Sequence, residues 1–181
     1  MEFTKCVEGR RSIRKYKADE VNGALIEKIV QVATFSPSWK NAQTTRFIAI
    51  SSVELKKELA EKCVMDFEYN KKTILNAPML ILVTTLSPRS GFERDGSPST
   101  SKGTHWESFD AGIATQTLCL AAYEEGLGTV VMGIYDEAKV IEVAKIPEGQ
   151  KVSAMVAIGY ADESPAMPKR KSAGEILSFL K

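Results

Sequence analysis

Residues 108–125, SFDAGIATQTLCLAAYEE, restrict the fold more than any other stretch of the chain. They read as a helix whose interior is nearly all small and apolar: Ala111, Gly112, Ala114, Ala121 and Ala122. A helix without a broad polar face cannot lie on a surface, so most of its circumference must be covered. Small side chains let another helix approach closely. Such an element belongs at the centre of a molecule or on an axis between subunits. Gly126 and Gly128 close it.

The remaining periodicities alternate between helix and strand. Residues 3–9 read as a short helix closed by Gly9. In 19–34, Val21, Leu25, Ile29, Val32 and Ala33 recur near the helical period, and Pro37 follows as a stop. Phe47–Ile50 reads as a strand, 53–63 as a charged amphipathic helix, and 65–76 as a helix ending before Pro78. MLILVTT, 79–85, is a continuous apolar run of strand length and should be buried on both faces. Residues 129–133 and 152–158 read as strands, with a helix at 136–143 and an IPEG turn between them. The tail is basic, then apolar at Ile176, Leu177, Phe179 and Leu180, so it should dock on something. With no repeat and no linker, the whole of 1–181 is expected to form one domain.

Charge and composition exclude several function classes. The net charge of +1 gives no broad basic face for nucleic acid or membrane. No apolar run is long enough for a transmembrane helix, and the N-terminus lacks the apolar core of a secretion signal, so a cytoplasmic protein is expected. Cys6, Cys63 and Cys119 show neither disulfide nor metal-ligand spacing and read as small buried apolar residues. His105, the sole histidine, lies in a Gly/Ser-rich stretch, which disfavours a histidine-based triad or a zinc centre.

Three segments do not read as scaffold. SPSWKNAQTTRF, 36–47, packs more donors and acceptors around Trp39 than a turn requires. Residues 87–105 are rich in Gly, Pro and Ser; they form either a surface loop or a wall over a ligand, with Phe92 or Trp106 in contact. Arg10, Arg11, Ser12 and Arg14 crowd five positions after Gly9, and Lys169-Arg170-Lys171 sits near the other end. Either basic group alone is weak evidence, since charge runs are most often solvated surface, although Ile13 and Tyr16 interleave the first with apolar side chains. Brought together they would make an anion cradle, since guanidinium binds phosphate in bidentate fashion. No G-x-G-x-x-G opens a helix after a strand and no P-loop is present, so a Rossmann or Walker site is unsupported.

Taken in order, Arg10–Tyr16, Ser36-Pro37-Ser38 with Asn41 and Gln43, Asp110–Ala114 with Gln116, Gly126-Leu127-Gly128-Thr129, Ile146–Gly149 and Ala157–Tyr160 form a series. Across almost the whole chain it resembles the compact members of the FMN-dependent nitroreductase family. The resemblance implies an α+β fold with a central mixed sheet flanked by helices. It also implies a homodimer with an exchanged C-terminal segment that adds a strand to the partner's sheet, and two FMN sites between subunits. The FMN phosphate would lie against Arg10, Ser12, Lys169 and Arg170, with Arg11 near it. Arg14 would point to the pyrimidine edge, where a positive charge favours reduction. Ser38, Trp39 and Asn41 would reach the flavin from the other subunit, with Gln43 a structural hydrogen-bonder. Val131, Met132 and Gly133 would line the flavin face, Gly133 near N5. The alternatives are a left-handed turn residue at Asn41 and a plain strand end at 131–133.

The chain departs from the family pattern at Thr44-Thr45, where proline and an aromatic are common, and at Gly133, where many members carry an acid. The activity implied is FMN-dependent NAD(P)H oxidoreduction of nitroaromatics, quinones or enones, with donor and acceptor using one pocket in turn. An FMN carrier or sensor without turnover, or a module holding an acidic partner on its arginines, are the competing possibilities. Neither the acceptor nor the choice between NADH and NADPH is legible.

Overall fold

The computed structural model describes residues 2–180. Four strands, β1 (Thr45–Ile50), β2 (Met79–Leu86), β3 (Gly128–Met132) and β4 (Gln150–Gly159), form one sheet in the order β1-β2-β4-β3. Each neighbouring pair is antiparallel. The expected mixed character reduces, within one chain, to a single parallel bridge between Ser12 and Thr129 at the β3 edge. The α+β class stands.

The two central strands explain the layering. In β2, Ile81 and Val83 face one side while Leu80 and Leu82 face the other, and all four are fully buried. Helices α2 (Gly23–Ala33) and α5 (His105–Glu124) cover the first side. Helices α3 (Val53–Lys62), α4 (Glu68–Asn76) and α6 (Glu137–Ala144) cover the second. A bulge between Val83 and Thr84 leaves Ser153 as an extra residue on β4. Val152 and Ala154, two apart, therefore fall on opposite sides.

Boundaries differ from the sequence expectation for local reasons. The side chain of Asn22 accepts from Ala24 N, so α2 starts at Gly23. Its buried positions are Ile26, Ile29 and Ala33, and Val32 is 42% exposed. Left-handed Met65 and Asp66 delay α4 to Glu68. Helix α5 begins at His105, which places Trp106 on the helix.

In a single chain α5 is covered on one side only. Ala111, Ala114, Leu118, Ala121 and Ala122 are buried, whereas Phe109 is 58% exposed and a Cβ on Gly112 would meet nothing within 4 Å. The C-terminal segment likewise stands off the body. After the one-turn α7 (Ala173–Ile176), Leu177, Phe179 and Leu180 are exposed. Among the described residues no helix is long and apolar enough to cross a membrane. No group of His, Cys, Asp and Glu among them could hold a metal ion.

Candidate active site

Helix α1 (Phe3–Gly9) delivers an extended arm, residues 10–16, along the β3 edge. Ile13 N donates to Thr129 O at 3.0 Å. Tyr16 N donates to Asn76 Oδ1 at 2.7 Å, and the buried Tyr16 hydroxyl lies within reach of the carbonyls of Ile13 and Ala157. Burial holds that phenol above its usual range, with the Glu163 charge acting in the same direction. Two glycines permit this close seating. A Cβ on Gly128 would come within 2.6 Å of Ile13, and one on Gly159 within 2.5 Å of Pro78 and 3.0 Å of Tyr16.

The arm and the tail enclose a cleft of about 350 Å³ lined by Arg10, Arg11, Ser12, Arg14, Pro165, Ala166, Pro168 and Arg170. The two basic clusters therefore meet, as an anion cradle requires. Their members are not equivalent. Arg11 turns its Nη1 back onto the carbonyls of Glu8 and Arg10, capping the end of α1. Arg10 and Arg170 make no side-chain hydrogen bond among the described residues. Arg14 is exposed; its backbone N–H donates to Glu163 Oε1 at 2.5 Å and its Nη1 is 3.5 Å from Ser12 O. Lys169 is exposed and does not line the cleft.

Because Ser12 pairs with Thr129, Val131 lies two residues further along the same edge, about 7 Å away. Val131 is half exposed, Met132 points into the core, and a Cβ on Gly133 would meet nothing within 4 Å. The arginine arm and the 131–133 stretch thus adjoin.

Residues 36–43 lie elsewhere. They lead into β1, at the opposite edge of the sheet from β3. Three interstrand spacings, about 14 Å, separate the two edges. Ser38, Trp39 and Asn41 therefore do not converge with Arg10–Arg14 in one chain. The loop is held in an unusual shape: Lys40, Asn41 and Gln43 all have left-handed backbones, with φ of 44°, 54° and 48°. The turn alternative for Asn41 describes its backbone correctly and leaves its side chain exposed. Gln43 is structural through its backbone N–H, which donates to Ser38 Oγ at 2.9 Å.

The group that pins this loop is not a residue the sequence singles out as a site. Asp110, 2% exposed, accepts from Trp39 N at 3.0 Å and from Ser90 Oγ at 2.6 Å. Ser90, fully buried, also lies 3.2 Å from Thr44 Oγ1. One carboxylate thus ties together α5, the 36–43 loop and the 87–104 loop. The available signal was an acid directly before the small apolar interior of the helix. The Trp39 ring packs on Trp106 at 4.9 Å, and Trp106 on Phe109 at 5.2 Å. Both indole N–H groups are buried without an acceptor among the described residues.

Segment 87–104 is not the unstructured stretch its composition suggests. Phe92 bridges to Pro98, Ser99 N donates to Gly91 O, and Lys40 pairs with Glu93 at 2.9 Å. Phe92 and Trp39 both line a second cleft of about 800 Å³. The segment thus forms one side of this cleft.

Comparisons with known proteins agree with the geometry. The Nitroreductase family profile matches residues 7–160. A Methanothermobacter thermautotrophicus protein, provisionally named NADH dehydrogenase/NAD(P)H nitroreductase, is 30% identical over 91% of this chain and 80% of its own. An FMN-dependent nitroreductase from Clostridium difficile superposes with a TM-score of 0.79 at 25% identity, covering 99% of each chain. A Nitroreductase family protein from Streptococcus pneumoniae shares the fold at a TM-score of 0.86, with 20% identity over 99% of this chain and 100% of the other. With a match over most of its length and an arginine arm seated on the β3 edge, the chain belongs to the Nitroreductase family.

Proposed function

We propose that the protein is an FMN-dependent NAD(P)H oxidoreductase that works as a homodimer, the whole chain acting as one flavin-binding domain. The observation that carries this is the cleft where Arg10, Ser12, Arg14 and Arg170 meet beside the open end of β3. Its chemistry suits a phosphate: permanent cations, two of them without a side-chain partner among the described residues, beside a hydroxyl. The exposed Val131 and open Gly133 next to it leave backbone free to lie against a flat ring.

FMN, when bound there, supplies the hydride chemistry. The chain's own residues bind and orient it. Arg10, Ser12 and Arg170 hold the phosphate, with Lys169 close by in sequence. Arg14 presents positive charge to the ring, where it favours added electrons. Val131, Met132 and Gly133 offer main chain to one ring face.

The second copy follows from distance and exposure. Ser38, Trp39 and Asn41 lie about 14 Å from the β3 edge in their own chain, so they serve the partner's cofactor. The open α5 stripe at Phe109 and Gly112 and the apolar Leu177–Leu180 tail are the surfaces a second copy covers. Nitroaromatics and quinones are the proposed acceptors.

The test is an FMN titration followed by flavin fluorescence, then anaerobic addition of NADH or NADPH and a quinone. Tight uptake, bleaching and reoxidation are expected. A protein that stays colourless in excess FMN refutes the proposal, and one that binds FMN but is never bleached is a carrier.

A further inference from the structure

The cleft between the 38–46 and 87–95 segments is separate from the phosphate cradle and has a chemistry of its own. Six charged residues line it: Lys40, Arg46, Arg89, Glu93, Arg94 and Asp95. Both carboxylates are already engaged. Glu93 takes Lys40 Nζ at 2.9 Å and Ser99 Oγ at 2.5 Å. Asp95 takes the backbone N–H and hydroxyl of Ser97 at 2.9 and 2.6 Å. The arginines are not neutralised. Arg46 spends only Nη1, on the carbonyls of Gln43 and Thr45, and the guanidiniums of Arg89 and Arg94 have no partner among the described residues. The cleft, also lined by Trp39 and Phe92, therefore presents three arginines with no carboxylate partner among the described residues. Trp39 also belongs to the flavin-facing loop, so the cleft opens one residue from where the substrate ring would lie.

We propose that Arg46, Arg89 and Arg94 form an anion subsite that selects aromatic substrates bearing a carboxylate or phosphate. Guanidinium forks bind such groups in bidentate fashion and stack on aromatic rings, which suits both features of the cleft. The inference rests on the flavin reading above.

The test uses the FMN-loaded protein and charge-matched pairs: 4-nitrobenzoate with 4-nitrobenzamide as acceptors, and NADPH with NADH as donors. An R89Q/R94Q double variant should raise KM about tenfold for the anionic member of one pair, with kcat and the neutral member unchanged. Loss confined to 4-nitrobenzoate assigns the subsite to the acceptor; loss confined to NADPH assigns it to the donor's extra phosphate. Equal change in both members, or no change in either pair, overturns the subsite. Independently of turnover, benzoate should quench wild-type tryptophan emission through Trp39 more strongly than benzamide does, and the double variant should lose that difference; an unaltered difference also overturns it. Failure to bind FMN at all would instead count against the flavin reading and leave the benzoate titration as the judge of the cleft.

Discussion

Asp110→Ala removes the acceptor on which two loops converge. Hydrogen bonds to a charged group contribute roughly 1.5–3 kcal/mol each. The losses here are unequal. Ser90 can turn to Thr44 Oγ1, already 3.2 Å away, so its hydroxyl keeps a partner. Trp39 N–H, 3.0 Å from the carboxylate, loses its acceptor, and it heads a turn with three left-handed non-glycine residues. Removing a buried carboxylate also recovers some of its desolvation cost. The net loss should be about 2–3 kcal/mol, or about 8 °C in Tm for a domain of this size. Asp110→Asn, which keeps the shape and one acceptor oxygen, should lose about half as much. The chain has two tryptophans, and Trp39 and Trp106 pack against each other in a tilted pair beside this network. Their emission should therefore shift to the red in Asp110→Ala under native conditions, and FMN affinity should fall as the loop relaxes. Thermal melts, tryptophan emission and an FMN titration measure the three effects. An alanine variant with unchanged Tm and emission would show that the carboxylate does not hold the loop.

Other predictions follow from the same geometry. Arg10→Ala should weaken FMN binding about tenfold or more by removing an unpaired phosphate donor, while Arg11→Ala should chiefly cost about 1 kcal/mol by uncapping α1; flavin titration and thermal melts separate the two. Gly128→Ala should destabilise by about 1–3 kcal/mol, because the new Cβ meets Ile13, and should loosen the arm enough to lower FMN affinity. Deleting residues 166–181 should give a monomer that no longer retains FMN, read by light scattering and absorbance; a dimer that keeps its flavin would reject the exchanged tail. Burial pushes the Cys63 and Cys119 thiols above their usual range, so their thiolate fraction at pH 8 is reduced and both should resist alkylation until the protein unfolds, as mass spectrometry would report.

Much of the scaffold is legible in the sequence because it depends on local periodicity. The unbroken apolar run of β2 announces burial on both faces, and the small residues of α5 announce close packing. The arginines at 10–14 suggest an anion site only when paired with the basic group at 169–171, since a charge run alone is most often solvated surface. What escapes is set by long-range contact. Nothing local distinguishes Arg11, which caps its own helix, from Arg10, whose side chain has no hydrogen-bond partner among the described residues. Asp110 is one acid in a helix until folding brings Trp39 N, 71 residues away, to its carboxylate. Val32 fits the helical period but faces outward, because the period gives a stripe and the neighbours decide its width.

The sequence by itself determined the alternation of elements, the basic character of both chain ends and the polar density around Trp39, all properties of neighbouring residues. Tertiary structure alone decided that the two basic ends share one cleft and that Trp39 lies at the other edge of the sheet from it. It also decided that the 87–104 segment is a fastened wall. These depend on strand order and on buried hydrogen bonds between distant residues, and chain spacing encodes neither.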